Sequence, residues 1–159
     1  MTASDVDYSI INEVSDDANR LVKVMMRLEF ALKDNGFFVP GRRAVAEVDW
    51  VGFANDKLGP GFWQKIKLAD EVQVLIQAPP KKQVVDGGGN LSWQDRGEVV
   101  SVQELIAALN GVRNNLFHGG KSGDPDGSRN ADLIQAALYL VDQVLKEDDV
   151  LHASFSGIY

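Results

Sequence analysis

The 159-residue chain contains no cysteine. That absence excludes disulfides, thiolate nucleophiles and cysteine-ligated metals, and with them the small secreted domains that disulfides staple together. Histidine is scarce as well, with only His118 and His152 in the chain, so no zinc site and no other metal or cofactor is expected. No apolar run approaches the roughly 18 residues that span a bilayer. The opening stretch "MTASDVDYSI" lacks the basic and apolar regions of a signal peptide. The expected setting is therefore cytoplasmic, away from membranes. Nucleotide-binding loops of the common kinds are missing too. The "GGK" at 119–121 lacks the earlier glycine of a P-loop and follows a helix, and "GGGN" has no flanking βαβ pattern. Basic residues are outnumbered, 16 against 23 acidic ones, for a formal net charge of −7. Such a surface repels nucleic acid on average, because phosphate binding is driven by basic side chains that displace counterions. Nucleic-acid binding would need a local basic patch.

What is present reads as one helical domain. Apolar residues make up 45% of the chain and charged residues 25%, the balance of an ordinary globular protein. From about Asp5 to Asn35, Ile11, Val14, Ala18, Leu21, Met25, Leu28 and Leu32 recur at spacings of three and four, the stripe of an amphipathic helix. Gly36 supplies its left-handed stop and Phe37 the hydrophobic contact beyond it. A second helix is expected after Pro40, with Ala44, Val48, Val51 and Leu58 on one side, until "GPG" at 59–61 breaks it. Phe62, Ile66, Ala69, Val72 and Ile76 then form another helical face. "QVLI" belongs to it as helix rather than strand, and the helix stops near Gln77 because Ala78 precedes a proline. Residues 78–100 form a long connection in which "QVV" and "LSW" are positioned to pair as a hairpin across "DGGGN".

Two further helices carry clear signals. "SVQE" at 101–104 matches a capping box. It opens a helix with Val102, Leu105, Ile106, Leu109, Val112 and Leu116 inside, ended by Gly119 or Gly120. After a polar loop, Leu133, Ile134, Ala137, Val141, Val144 and Leu145 mark the last long helix. The tail from about 147 to 159 either docks on the bundle or stays loose. The expected fold is an all-α, single-domain antiparallel bundle of four to five helices spanning 1–159. Asp124 and Asp126 in "GDPDG" lack the closing Glu of a calcium loop, and a plain turn is expected there. Trp50, Trp63 and Trp93 read as core or loop anchors, and His152 as a surface residue.

Chemistry concentrates at "VRNNLFHGGK", residues 112–121. Arg113, Asn114, Asn115 and His118 occupy the last turns of an apolar helix. Arg113 lies at the edge of the buried stripe, and Asn114 and His118, four apart, are neighbours on its polar side. A solvated helix end would also favour cations here, beside the exposed carbonyls and the negative end of the dipole. The pattern resembles the HEPN superfamily (higher eukaryotes and prokaryotes nucleotide-binding), whose signature is Arg, four to six residues, then His, often with a polar residue directly after the Arg. Some members add a Glu-x3-Lys-Arg motif; this chain has Glu29 and Lys33, but Asp34 in place of the Arg.

The resemblance implies metal-independent endoribonuclease activity, often in toxins or anti-phage effectors. His118 would act as acid/base, Arg113 as phosphate clamp and Asn114 as orienting residue. Attack of a ribose 2′-OH on the adjacent phosphate would leave a 2′,3′-cyclic phosphate and a 5′-hydroxyl. It also implies a C2 homodimer through the face carrying Arg113 and His118, which would supply the second proton-handling group that one chain lacks. Lys121, Lys81 and Lys82 would extend the basic patch along RNA, and a toxin would have an antitoxin partner. The alternatives are a non-catalytic module binding RNA, nucleotide or another protein, and a helical adaptor whose Arg113 is tied up in an intramolecular salt bridge.

Overall fold

A computed structural model describes residues 5–118 and 127–158, and for residues 118, 127 and 128 the backbone alone. The first long helix, α1 (Asp16–Asp34), starts at Ser15, whose hydroxyl accepts from the Ala18 N–H at 3.1 Å. Asp16 and Asp17 in the first turn complement the positive end of the dipole. Ala18, Leu21, Met25, Leu28 and Leu32 are buried as the stripe requires. The stop is a Schellman motif. Gly36 has φ 88°, the Phe37 N–H bonds the Leu32 carbonyl at 2.9 Å, and the Gly36 N–H bonds that of Lys33 at 3.1 Å.

The start of α1 is later than the apolar spacing predicts. Ile11 and Val14 continue the stripe on paper, yet they are 60% and 47% exposed, and Ser9–Glu13 is a separate 3₁₀ turn. The cap explains the difference. Ser15 adopts an extended backbone, φ −65° and ψ 157°, to place its hydroxyl over the first free amides, and this interrupts any helix running into it.

The all-α expectation fails at two small antiparallel sheets, and the helical segments outnumber four or five. Where a helix was expected after Pro40, β1 (Phe38–Pro40) pairs with β2 (Ala46–Val48), Phe38 opposite Val48. The turn between them puts Arg43 and Ala44 at φ 57° and 61°, a left-handed pair that no right-handed helix accommodates. The second sheet lies in the long connection, where β3 (Lys82–Val85) pairs with β4 (Leu91–Gln94), Gln83 opposite Trp93. This is the hairpin expected across "DGGGN".

Helix returns at Asp49, whose carboxylate accepts from the Gly52 N–H at 2.9 Å. Short α2 (Trp50–Phe53) runs through a π turn at Ala54–Leu58 into α3 (Gly59–Ile66). Gly59, at φ 67°, with Pro60 behind it, provides the break expected at "GPG". The face from Phe62 to Ile76 is buried at both ends but is not one helix. The chain leaves α3 after Ile66, makes a 3₁₀ turn at Asp70–Val72, and re-enters helix as α4 (Gln73–Gln77), so "QVLI" is helical.

The site-bearing helix, α5 (Val102–His118), opens with the Glu104 N–H on Ser101 Oγ at 3.2 Å, while Glu104 Oε2 accepts from the Val100 N–H at 2.8 Å. The long helix α6 (Gly127–Glu147) follows. The tail docks as α7 (Asp149–Ser156), capped by Asp148 and held on α1 by Arg27, which donates to the carbonyls of Phe155 (2.7 Å) and Ser154 (2.9 Å). The buried residues form a single cluster, with α1 touching α5, α6 and α7. Trp50 and Trp63 pack partly buried against it, whereas Trp93 is 41% exposed. Among the described residues no helix is long and apolar enough to cross a membrane.

Hydrogen bonds to a charged donor contribute about 1.5–3 kcal/mol each, so Arg27→Met is expected to loosen α7 alone. Hydrogen exchange should accelerate across 149–156 while α1 keeps its protection; unchanged exchange in α7 would contradict the docking role of Arg27.

Candidate functional site

The position of Arg113 follows from its neighbours on α5. Leu105, Leu109 and Val112 are buried in the core, and the next residue emerges at the edge of that stripe, facing α1. The Arg113 side chain is 30% exposed, and three groups hold its guanidinium. Nη1 donates to Asn114 Oδ1 at 2.9 Å. Nη2 lies 3.7 Å from Glu29 Oε1 on α1. Cζ sits 4.9 Å from the centre of the Phe117 ring one turn on, within cation–π range. Glu29 thus reaches across to Arg113 rather than pairing with Lys33 along its own helix. Glu29 and Arg113, far apart in the chain, meet in space.

At 3.7 Å the Glu29 contact is an ion pair without a close hydrogen bond. It tethers and partly neutralises the cation. Of the five N–H donors of a guanidinium, Asn114 takes one. Asn114 is itself exposed. His118 is the last residue of α5, four positions after Asn114. Its side chain, like Lys121, Gly119, Gly120, Asp124 and Asp126, lies outside the described residues. His152 is exposed on α7.

The other flank of α5 is structural. Asn115 follows Arg113 by two residues, a turn of about 200° around the helix. It is only 7% exposed, and its Nδ2 donates to the Lys81 carbonyl at 2.9 Å. Arg129 of α6 donates to the Pro79 carbonyl at 3.1 Å. Pro79, Pro80 and Lys81 are thereby pinned against α5 and α6. Gly111 permits this approach, since a Cβ there would meet Pro80 Cγ at 3.0 Å and Arg96 Nη2 at 3.3 Å. The Lys81 ammonium projects outward, 3.8 Å from Asp95, and Lys82 is exposed on β3. The backbone of Lys81 is thus held at the flank of α5 that carries Asn115.

Sequence reasoning missed the roles of Gly111, Asn115 and Arg96. One signal was available, because a glycine inside a helix carries a propensity cost and usually has a packing reason. Arg96 Nε is buried without a hydrogen-bond partner, and nothing in the spacing of the chain marks it.

Beside Phe117 a groove of about 650 Å³ opens between the start of α1, the end of α5 and the start of α6, with Val22, Leu116 and Ile134 in its walls. Ile10, Ile11 and Val14 of the N-terminal turn border it and remain largely exposed. Among the described residues no group of three His, Asp or Glu is arranged to hold a metal ion. No protein-family model, curated protein or solved structure matches the chain.

Two outcomes are expected. Gly111→Val should destabilise the fold by about 1–3 kcal/mol through overpacking, with the largest shifts in NMR spectra at 79–81 and 96; an unperturbed loop would contradict the close approach. A double-mutant cycle with Glu29→Gln and Arg113→Gln should give a coupling of about 0.2–1 kcal/mol, the range of a partly solvated pair, and a coupling of zero would remove Glu29 from the site.

Proposed function

We propose that the chain is a metal-independent endoribonuclease acting as a symmetric homodimer, with Arg113 gripping the scissile phosphate, His118 moving the proton and Asn114 orienting the phosphate or the imidazole. The observation that carries this reading is the state of Arg113. Its guanidinium, on a side chain 30% exposed near the end of α5, is held by Asn114, Phe117 and Glu29. A cationic fork held in place before substrate arrives suits phosphate recognition, because little side-chain freedom is lost on binding and two N–H groups can grip two oxygens.

The chemistry requires proton transfer from the attacking 2′-OH and to the leaving 5′ oxygen. Histidine titrates nearest neutrality and serves either role. One chain has a single histidine at this helix end. A two-fold dimer would bring a second His118 and a second Arg113 to a shared cleft. Met26 on α1 and Phe117 on α5 are 63% and 50% exposed, apolar surface of the kind that a dimer contact covers.

A second reading has an observation of its own. Glu29 partly neutralises Arg113, which suits a module that binds RNA, nucleotide or protein without cleaving anything, or an adaptor in which the pair is purely structural. Cleavage separates the readings. A labelled RNA incubated in EDTA should be cut by the wild type to 2′,3′-cyclic phosphate and 5′-hydroxyl ends. His118→Ala should lose about 100-fold or more in rate, the usual contribution of a general acid or base, at an unchanged dimer fraction in light scattering. If folded dimers of wild type cut none of a panel of RNAs, the catalytic reading falls to the binding module.

A further inference from the structure

We infer that the groove beside Phe117 is a nucleobase subsite, seating the base of the nucleotide whose phosphate Arg113 holds. The inference rests on the phosphate-binding reading of Arg113 and adds to it the part of the substrate that confers selectivity. The carrying observation is a shared wall. Phe117, whose ring centre lies 4.9 Å from the Arg113 guanidinium carbon, is also among the residues that line the groove. The cation and the apolar recess therefore meet at one residue, as the phosphate and the base of a nucleotide meet at its ribose.

The recess suits the chemistry of a base. Its volume of about 650 Å³ lies within the roughly 300–1,000 Å³ of small-molecule sites. Val14, Val22, Leu116 and Ile134 provide apolar walls for the faces of a heterocycle, and half-exposed Phe117 provides an aromatic one. Polar contacts are few and placed for an edge. Asn115, nine-tenths buried, lines the groove with Nδ2 committed to the Lys81 carbonyl, while its Oδ1 accepts no hydrogen bond from a described residue. A side-chain carbonyl in that state is matched by a ring N–H or an exocyclic amine, the groups that amide side chains read on base edges. An acyl chain or an aliphatic side chain would leave it unsatisfied. Glu13 lines the groove too. Its carboxylate repels phosphate, so the anionic end of a nucleotide is directed outward to Arg113 and the neutral base inward.

The test is an NMR chemical-shift titration of the full chain with adenosine 5′-monophosphate, uridine 5′-monophosphate and ribose 5-phosphate, without metal. A nucleotide should bind about tenfold or more tighter than ribose 5-phosphate, the gain that one stacked base brings. Ala131 lines the groove from the exposed side of α6, and Ala131→Leu, a substitution by another strong helix former, should erase that preference while leaving ribose 5-phosphate binding intact. Equal affinities in the wild type, or a preference that survives Ala131→Leu, would overturn the subsite. Arg113→Ala keeps the two readings apart. If it weakens ribose 5-phosphate where no base preference exists, only the subsite has failed; if it leaves ribose 5-phosphate binding unchanged, the phosphate reading has failed.

Discussion

The arrangement depends on the burial of one face of α1. Leu21, Met25, Leu28 and Leu32 are almost wholly buried, and α5, α6 and α7 all touch this helix. Truncating one such leucine would cost about 2–5 kcal/mol, whereas a partly solvated ion pair contributes about 0–1 kcal/mol. The core therefore sets where Glu29 and Arg113 sit, and the pair does not set the core. Glu29 adjoins Leu28 and Arg113 adjoins Val112, so each charged residue is placed by a buried neighbour one position earlier. Their encounter follows from the packing of α1 on α5.

The same economy gives α5 two different flanks. On one, Asn114, Phe117 and Glu29 fix the guanidinium of Arg113 without enclosing it. On the other, Gly111 lets Pro80 approach and Asn115 ties down the backbone of Lys81. The adjacent asparagines of the "RNN" stretch thus have separate tasks, because a step of about 100° per residue carries neighbouring side chains to different surroundings. Asn114 meets the cation and solvent, while Asn115 joins the groove to the structural flank. The end of α5 is a ledge with a charged lip and an apolar recess beside it.

The parts of this fold legible in the sequence are those encoded by contacts between near neighbours. The Gly36 stop of α1, the Ser101 start of α5, the break at Gly59 and the hairpin across "DGGGN" each depend on backbone conformations that a few adjacent residues dictate. Where a periodic pattern met a competing local signal, the local signal prevailed. Ser15 ended the helical run through Ile11 and Val14, and the left-handed pair Arg43–Ala44 turned an expected helix into a hairpin. For the candidate site, the spacing from Arg113 to His118 was visible at once. The partner of Glu29, the wedge of Pro80 on Gly111 and the burial of Asn115 were not, since each is a contact between distant stretches of chain. The position of Lys81 was equally hidden. Its charge was plain, but where its backbone meets α5 depends on how the 79–81 segment is pinned.

If Arg113 binds phosphate while Glu29, Asn114 and Phe117 keep it in register, its guanidinium must respond when RNA binds. The most direct measurement is the NMR signal of its Nε–H group, assigned by its loss in Arg113→Lys and followed while a 2′-deoxy-substituted RNA dinucleotide, which cannot be cut, is added in EDTA. A saturable shift of that signal, with Glu29→Gln changing its starting position but not abolishing the response, is the expected result. A signal that stays fixed while signals elsewhere in the protein respond to the dinucleotide would contradict the claim and leave Arg113 as the structural half of an ion pair.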